Sequence, residues 1–290
     1  MRTPDDHPAN DAAWTCPSCG ATALSPYCPA CGERRWNEHD LTFRHLFEQL
    51  LEFLIHFDGR LFRTVRVLIT KPGQLTTAYL TGCRRPYVSP FHIFLIANVV
   101  FFFVQLLSGL EVLTVPLASE LQHQMYSGLA QRLATHHLAG TGMSVDQYAP
   151  IFEHAEALYA KSLIMLMLPL FAVAAGLLFV DRRKVAVAHL VFAVHFYTFL
   201  LVFLTVLFPA FALVRMVLHH LGIPMNAVLD WIATLLEALP CVVYLAKSTA
   251  VVYQAGLVRR WLSAGLLTVA TLYILYAYRL VLFVVTLWAT

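Results

Sequence analysis

Cys16-Pro17-Ser18-Cys19-Gly20, followed by Cys28-Pro29-Ala30-Cys31-Gly32, is the stretch from which the rest of the chain is read. Two Cys-x-x-Cys pairs, each closed by a glycine, supply the four thiolates that one tetrahedral Zn2+ binds at about 2.3 Å. The glycines let each turn reach positive φ, so that backbone N–H groups approach the sulfurs. Only about sixteen residues span the outer cysteines, too few to bury a core, so the metal must hold this fold together. Four thiolates leave no open coordination position, which makes the ion structural rather than catalytic. A tandem of redox pairs is the rival reading. Thiolates survive in a reducing compartment, which places a ribbon over residues 14–36 on the cytosolic side.

Outward from the ribbon, composition changes sharply. The chain of 290 residues is 59% hydrophobic and 13% charged, with a mean hydropathy of +0.67. That excludes an ordinary soluble domain. The charge is segregated: residues 1–89 hold nineteen of the thirty-seven charged side chains. A net charge of +3 is too small to argue for nucleic acid. Residues 1–13 are polar, acidic and proline-containing and read as a disordered lead, with no signal-peptide pattern. Cys83 and Cys241 stand apart from the quartet and read as small apolar fillers.

Residues 41–89 read as juxtamembrane amphipathic helices. Asp40 is an N-cap for a helix over Leu41–Phe57, and a second helix over Arg60–Thr70 sets Leu61, Val65 and Leu68 against Arg60, Arg63 and Arg66. Lys71-Pro72-Gly73 stops it. Such a basic face lies in the headgroup plane or packs on the helix bundle; both readings stay open. Ser89-Pro90 then opens an apolar run as N-cap and N1.

At this point the chain resembles the bacterial family of unknown function numbered 3667, inner-membrane proteins with an N-terminal zinc ribbon. The resemblance rests on Cys16, Cys19, Cys28 and Cys31, on Asp58-Gly59 to Arg63-Thr64, on Pro72-Gly73, and on Tyr79-Leu80-x-Gly82-x-Arg84-x-x-Tyr87-x-x-Pro90. It covers roughly residues 14–105. The family tends to have lysine where this chain has Cys83. The resemblance implies a bacterial inner-membrane location and carries no activity to transfer.

Five apolar stretches of about the ~20 residues that a bilayer requires follow, near 90–110, 162–180, 187–210, 228–253 and 262–288. The fold class expected is therefore an all-α polytopic membrane protein, with a transmembrane domain over 90–290 and an outer loop over 111–161. With the ribbon inside, inner segments carry fifteen Lys and Arg and outer ones three. This bias predicts N-terminus in and C-terminus out, independently of the thiolate argument. Leu117–Leu138 and Val145–Tyr159 in the outer loop read as amphipathic helices. Its His123, His136, His137 and His154, with Glu120, Asp146, Glu153 and Glu156, show no decisive ligand spacing and read as scattered surface groups.

Charges within apolar stretches are functional candidates because burying them unpaired is expensive. Asp230, Thr234, Glu237, Cys241, Tyr244 and Ser248 step by four and three, one stripe of the fourth helix, beside Pro240. If the last two helices turn near residue 257 or 258, Glu237 and Arg279 fall at one depth, which predicts a buried ion pair; the alternative is that Arg279 snorkels and Glu237 is protonated. Lys247 lies nearer the inner surface and can snorkel. His189 and His195 do not share a helix face and read as hydrogen-bonded packing groups, with pocket lining as the alternative. Glu237, Arg279, His195 and Asp230 are the candidate intramembrane polar site.

No His-Glu-x-x-His, nucleophile elbow or phosphate loop occurs, which argues against an enzyme. Two functions remain. One is an interaction or scaffold module in which the ribbon presents Ala21 to Tyr27 and Glu33 to Trp36 to a cytosolic or membrane partner. The other is a transporter or channel for a small solute or lipid, using Glu237, Arg279 and His195; the lack of an internal repeat counts against it.

Overall fold

The computed structural model describes residues 13–35, 59–108, 114–182, 184–221 and 227–290. The lead expected over 1–13, save Ala13, and the helix expected over 41–57 lie outside the described residues.

Two short strands, β1 (Trp14–Thr15) and β2 (Thr22–Ala23), pair antiparallel, with Trp14 opposite Ala23. Two helices follow, α1 (Gly59–Thr70) and α2 (Gln74–Leu80). The break between them is set by Gly73, at φ 85, where a Cβ would lie 2.9 Å from the Ser248 carbonyl oxygen. Only glycine permits both that backbone conformation and that approach. The sequence reading missed α2 as a separate helix. It is an inner brace: Leu75, Thr76 and Tyr79 are buried, and the Thr76 hydroxyl meets His195 Nδ1 at 2.9 Å. Of the two alternatives for α1, packing on the bundle is seen at Thr64 and Leu68, which are buried, while Phe62 and Ile69 are exposed.

The membrane domain contains α3 (Pro90–Ser108), α4 (Leu117–Gln122), α5 (Ser127–Thr141), α6 (Val145–Leu163), α7 (Met167–Leu178), α8 (Ala186–His220), α9 (Ala227–Val252) and α10 (Leu257–Ala289). Four helices are long and apolar enough to cross a membrane: α3, α8, Leu235–Val252 within α9, and α10. A bent pair makes a fifth crossing if it is one broken span rather than a re-entrant loop: Val145–Lys161 and Ile164–Leu178 meet at 49°, joined by a 3-10 turn at Ile164–Leu166. An apolar stretch of about 12 residues covers only ~18 Å, so α7 alone is too short for the ~30 Å hydrocarbon core.

Aromatic stacking joins the helices where they cross. Phe171 stacks on Phe196 at 4.8 Å, Phe179 on Tyr253 at 4.0 Å and Phe199 on Tyr244 at 3.8 Å. At the ribbon end, Arg259 grips Asp181 through two charge-assisted bonds, and these hold the Asp181 carboxyl below the usual range. At the opposite end α4, α5 and α6 form a cap with its own core of Leu117, Ala130, Phe152, Phe283 and Leu287. The single helix expected over Leu117–Leu138 is two helices, parted at residues 123–126. Capping by Ser144 and Gln147 starts α6, which runs past Tyr159 to Leu163.

Candidate metal centre and intramembrane cavity

The two cysteine knuckles are near copies. Gly20 N donates to Cys16 O at 2.8 Å and Gly32 N to Cys28 O at 2.7 Å. Both glycines have positive φ, 77° and 70°, as the motif predicts. The four sulfurs converge: Cys16 and Cys31 Sγ are 3.5 Å apart, as are Cys19 and Cys28 Sγ, and all lie within 4.8 Å of one another. Tetrahedral zinc thiolates at 2.3 Å imply sulfurs about 3.8 Å apart, so the donor set fits Zn2+. The Cys28 thiol is already acidified: burial works against its thiolate, but the Cys31 and Ala30 amides outweigh it and hold it at about 7. Cys31 is pushed up to about 12; the Glu33 amide favours its thiolate, but burial and the three neighbouring thiols win. The four sulfurs could hold a metal ion, and binding one would hold all four as thiolates. Among the described residues, no other group of three or more His, Cys, Asp or Glu is placed to hold a metal, so the histidines of the cap form no such site.

Glu33, expected on a partner-facing surface with Trp36, is buried instead and joins the ribbon to the membrane domain. Its buried carboxylate accepts from Ser18 Oγ at 2.6 Å, Arg85 N at 2.9 Å and Arg84 N at 3.3 Å. Arg85 Nη2 donates to the Gly32 carbonyl at 3.1 Å, and a Cβ at position 32 would strike that guanidinium. Cys83, where the resembled family tends to have lysine, lies against Ser18 at 3.5 Å. Arg84 caps the Tyr79 ring at 4.5 Å. The Tyr79-to-Pro90 segment is therefore the seat of the ribbon.

Residues 58–102 match the family model described as a protein of unknown function, DUF3667. That match takes in α1, α2, the ribbon's seat and most of α3, and agrees with the resemblance read from the sequence. No curated protein and no solved structure matches the chain.

The intramembrane candidates are separated by the fold. Glu237 and Arg279 line one cavity of about 970 Å³ between α8, α9 and α10, but no ion pair joins Glu237 to Arg279. The reason is the position of the turn. Helix α9 ends at Val252 and α10 begins at Leu257, so the turn is centred near 254 or 255, earlier than 257 or 258. Arg279 consequently lies about seven residues, or ~10 Å, farther from the turn than Glu237. Its charge acts instead on Glu120 in the cap. Burial raises the Glu120 carboxyl above its ordinary range, partly offset by the Tyr126 hydroxyl, which donates to it at 2.6 Å, and by Arg279. Glu120 and Glu156, read as surface groups, are both buried.

His195 does not reach the cavity and is held by Thr76. His189 bonds the Tyr253 hydroxyl at 2.9 Å, so both act as packing groups. Lys247 is exposed, as snorkelling requires. Cys241, Tyr244 and Ser248 are buried along the expected seam of α9, while the Asp230 side chain lies outside the described residues.

Proposed function

We propose that this multi-pass membrane protein is a zinc-ribbon interaction or scaffold module of the bacterial inner membrane, with its N-terminus cytoplasmic, its C-terminus periplasmic and no catalytic role. The observation that carries this reading is the Glu33 contact. A ribbon fixed to the bundle by three hydrogen bonds, from Arg84 N and Arg85 N to Glu33 and from Arg85 Nη2 to the Gly32 carbonyl, is held in one orientation while Leu24 and Tyr27 stay 73% and 59% exposed. Rigid presentation lowers the ordering cost of binding. Zinc held by Cys16, Cys19, Cys28 and Cys31 is closed to substrate, and its folding role follows from the small size of the ribbon. The excess of Lys and Arg on the ribbon side supports the orientation.

A photoreactive phenylalanine analogue in place of Tyr27, activated in native membranes, tests this reading. The expected result is one defined crosslinked protein that disappears in Cys28→Ser while membrane insertion is unchanged. Identical capture with and without a folded ribbon, or none, would reject the module.

A further inference from the structure

The cavity between α8, α9 and α10 has two chemically distinct ends. Its closed end is lined by Phe101, Ile164, Met167, Phe196 and Leu201, each at most 4% exposed. Its other end carries Arg215 and His219, both exposed, while Glu237 and Arg279 line the space from the two neighbouring helices. One stripe of α8 connects them: Tyr197, Leu201, Leu204, Phe208, Phe211, Arg215 and His219 all line the space, at steps of four and three. Twenty-two residues of helix cover about 33 Å, roughly the thickness of a bilayer's hydrocarbon core. The volume lies at the upper end of the ~300–1,000 Å³ typical of ligand sites. An independent observation marks the closed end. Tyr197 is 1% exposed, lines the cavity, and its hydroxyl has no hydrogen-bond partner among the described residues. Helix packing alone would disfavour such a group at a hydrocarbon depth.

We infer that this cavity binds an anionic amphiphile, with its hydrocarbon chain along the α8 stripe and its phosphate or carboxylate headgroup at Arg215 and His219. A guanidinium beside an imidazole suits an anionic oxygen cluster. Glu237, part-way along the same cavity, disfavours a second negative charge. The Tyr197 hydroxyl donates to an oxygen carried within the chain, or to a water enclosed above the chain's end. This site is separate from the ribbon and stands or falls independently of the proposed partner.

The full-length, zinc-loaded protein in detergent, examined by native mass spectrometry, tests it. Three probes are titrated: phosphatidylglycerol, phosphatidylcholine and palmitate. The parent is expected to retain an anionic probe at least tenfold better than phosphatidylcholine, with the choice between phosphatidylglycerol and palmitate naming the headgroup. Loss of one charge-assisted contact costs about tenfold or more, so Arg215→Ala with His219→Ala should abolish the preference while leaving tail binding. Ala212→Trp, which fills the cavity beside the stripe, should abolish binding of all three. Zinc content and the unfolding temperature verify that each variant is folded, and Leu213→Ala, on the exposed back of α8, should bind as the parent does. Equal retention by the parent and Ala212→Trp would overturn the inference. So would an absence of retained probe, or occupation of the groove by a second copy, shown by crosslinking through Leu204→Cys.

Discussion

At one end of the bundle the ribbon has almost no core: Cys16, Ala23 and Cys28 are its buried apolar residues among those described, and Glu33 binds it to the loop at 84–85 through polar contacts. At the other end the cap of α4, α5 and α6 closes over Phe152, Phe283 and Leu287, with buried Glu120 and Glu156 beside Arg279. The ribbon is a unit whose stability comes from a ligand, seated on the membrane domain by hydrogen bonds. The cap is part of the membrane domain's own apolar packing. One end can be loosened without disturbing the bundle, and the other cannot.

Removing the metal should show the largest difference. Structural zinc contributes about 10–16 kcal/mol of apparent binding energy in small domains, so Cys28→Ser should leave the ribbon unfolded. Limited proteolysis with metal analysis reads this: cleavage within 13–35 should become rapid, with the bundle fragment intact. A metal-free ribbon that stays resistant would break the contrast.

Phe152→Ala acts on the other end. The ring is fully buried and meets Phe283 at 5.5 Å, so the cost should be about 3–5 kcal/mol. It should appear as a lowered unfolding temperature of the membrane domain with zinc content unchanged. Equal stability of parent and variant would mean that the cap is not integral to the bundle.

A smaller, pH-dependent effect distinguishes the cap's buried acid. Burial raises the folded-state pKa of Glu120 above its unfolded value, so the folded protein holds that proton more tightly. Stability is then greatest below the ordinary carboxylate range, falls as pH rises towards the raised folded value, and is level beyond it. Glu120→Gln should flatten that part of the stability–pH curve. An unchanged curve would show that Glu120 does not titrate between the two states.

The same contrast explains what could be read in the sequence. The convergence of the four cysteines was legible, because two knuckles at this spacing bring their sulfurs to one point. The spans were legible because hydropathy is a bulk property, but not all their ends: the third stretch, read as ending at 210, runs on to His220, and the fifth, read from 262, begins at Leu257. The break at 164–166 was not legible, since apolarity continues through it. Glu120 and Glu156 looked like surface groups because one sequence does not reveal which face of an amphipathic helix is covered by another. The Glu237–Arg279 pairing failed on the position of one turn, an error of about three residues that becomes ~10 Å between antiparallel helices. The α8 stripe of the cavity was not legible as a whole, because the third apolar stretch was read as ending near 210, which left Arg215 in the outer loop beyond it. The burial of Glu33 had no signal, because its partners are backbone amides some fifty residues away.

The central claim, a zinc-folded ribbon fixed in one orientation on the membrane domain, is tested most directly by a distance. Spin labels carried on noncanonical residues at Tyr27 and Lys247, read by pulsed electron resonance, would compare the zinc-loaded parent with Glu33→Ala. The account predicts one narrow distance in the parent and a broad distribution in Glu33→Ala, with zinc retained in both. A broad distribution in the zinc-loaded parent would contradict it.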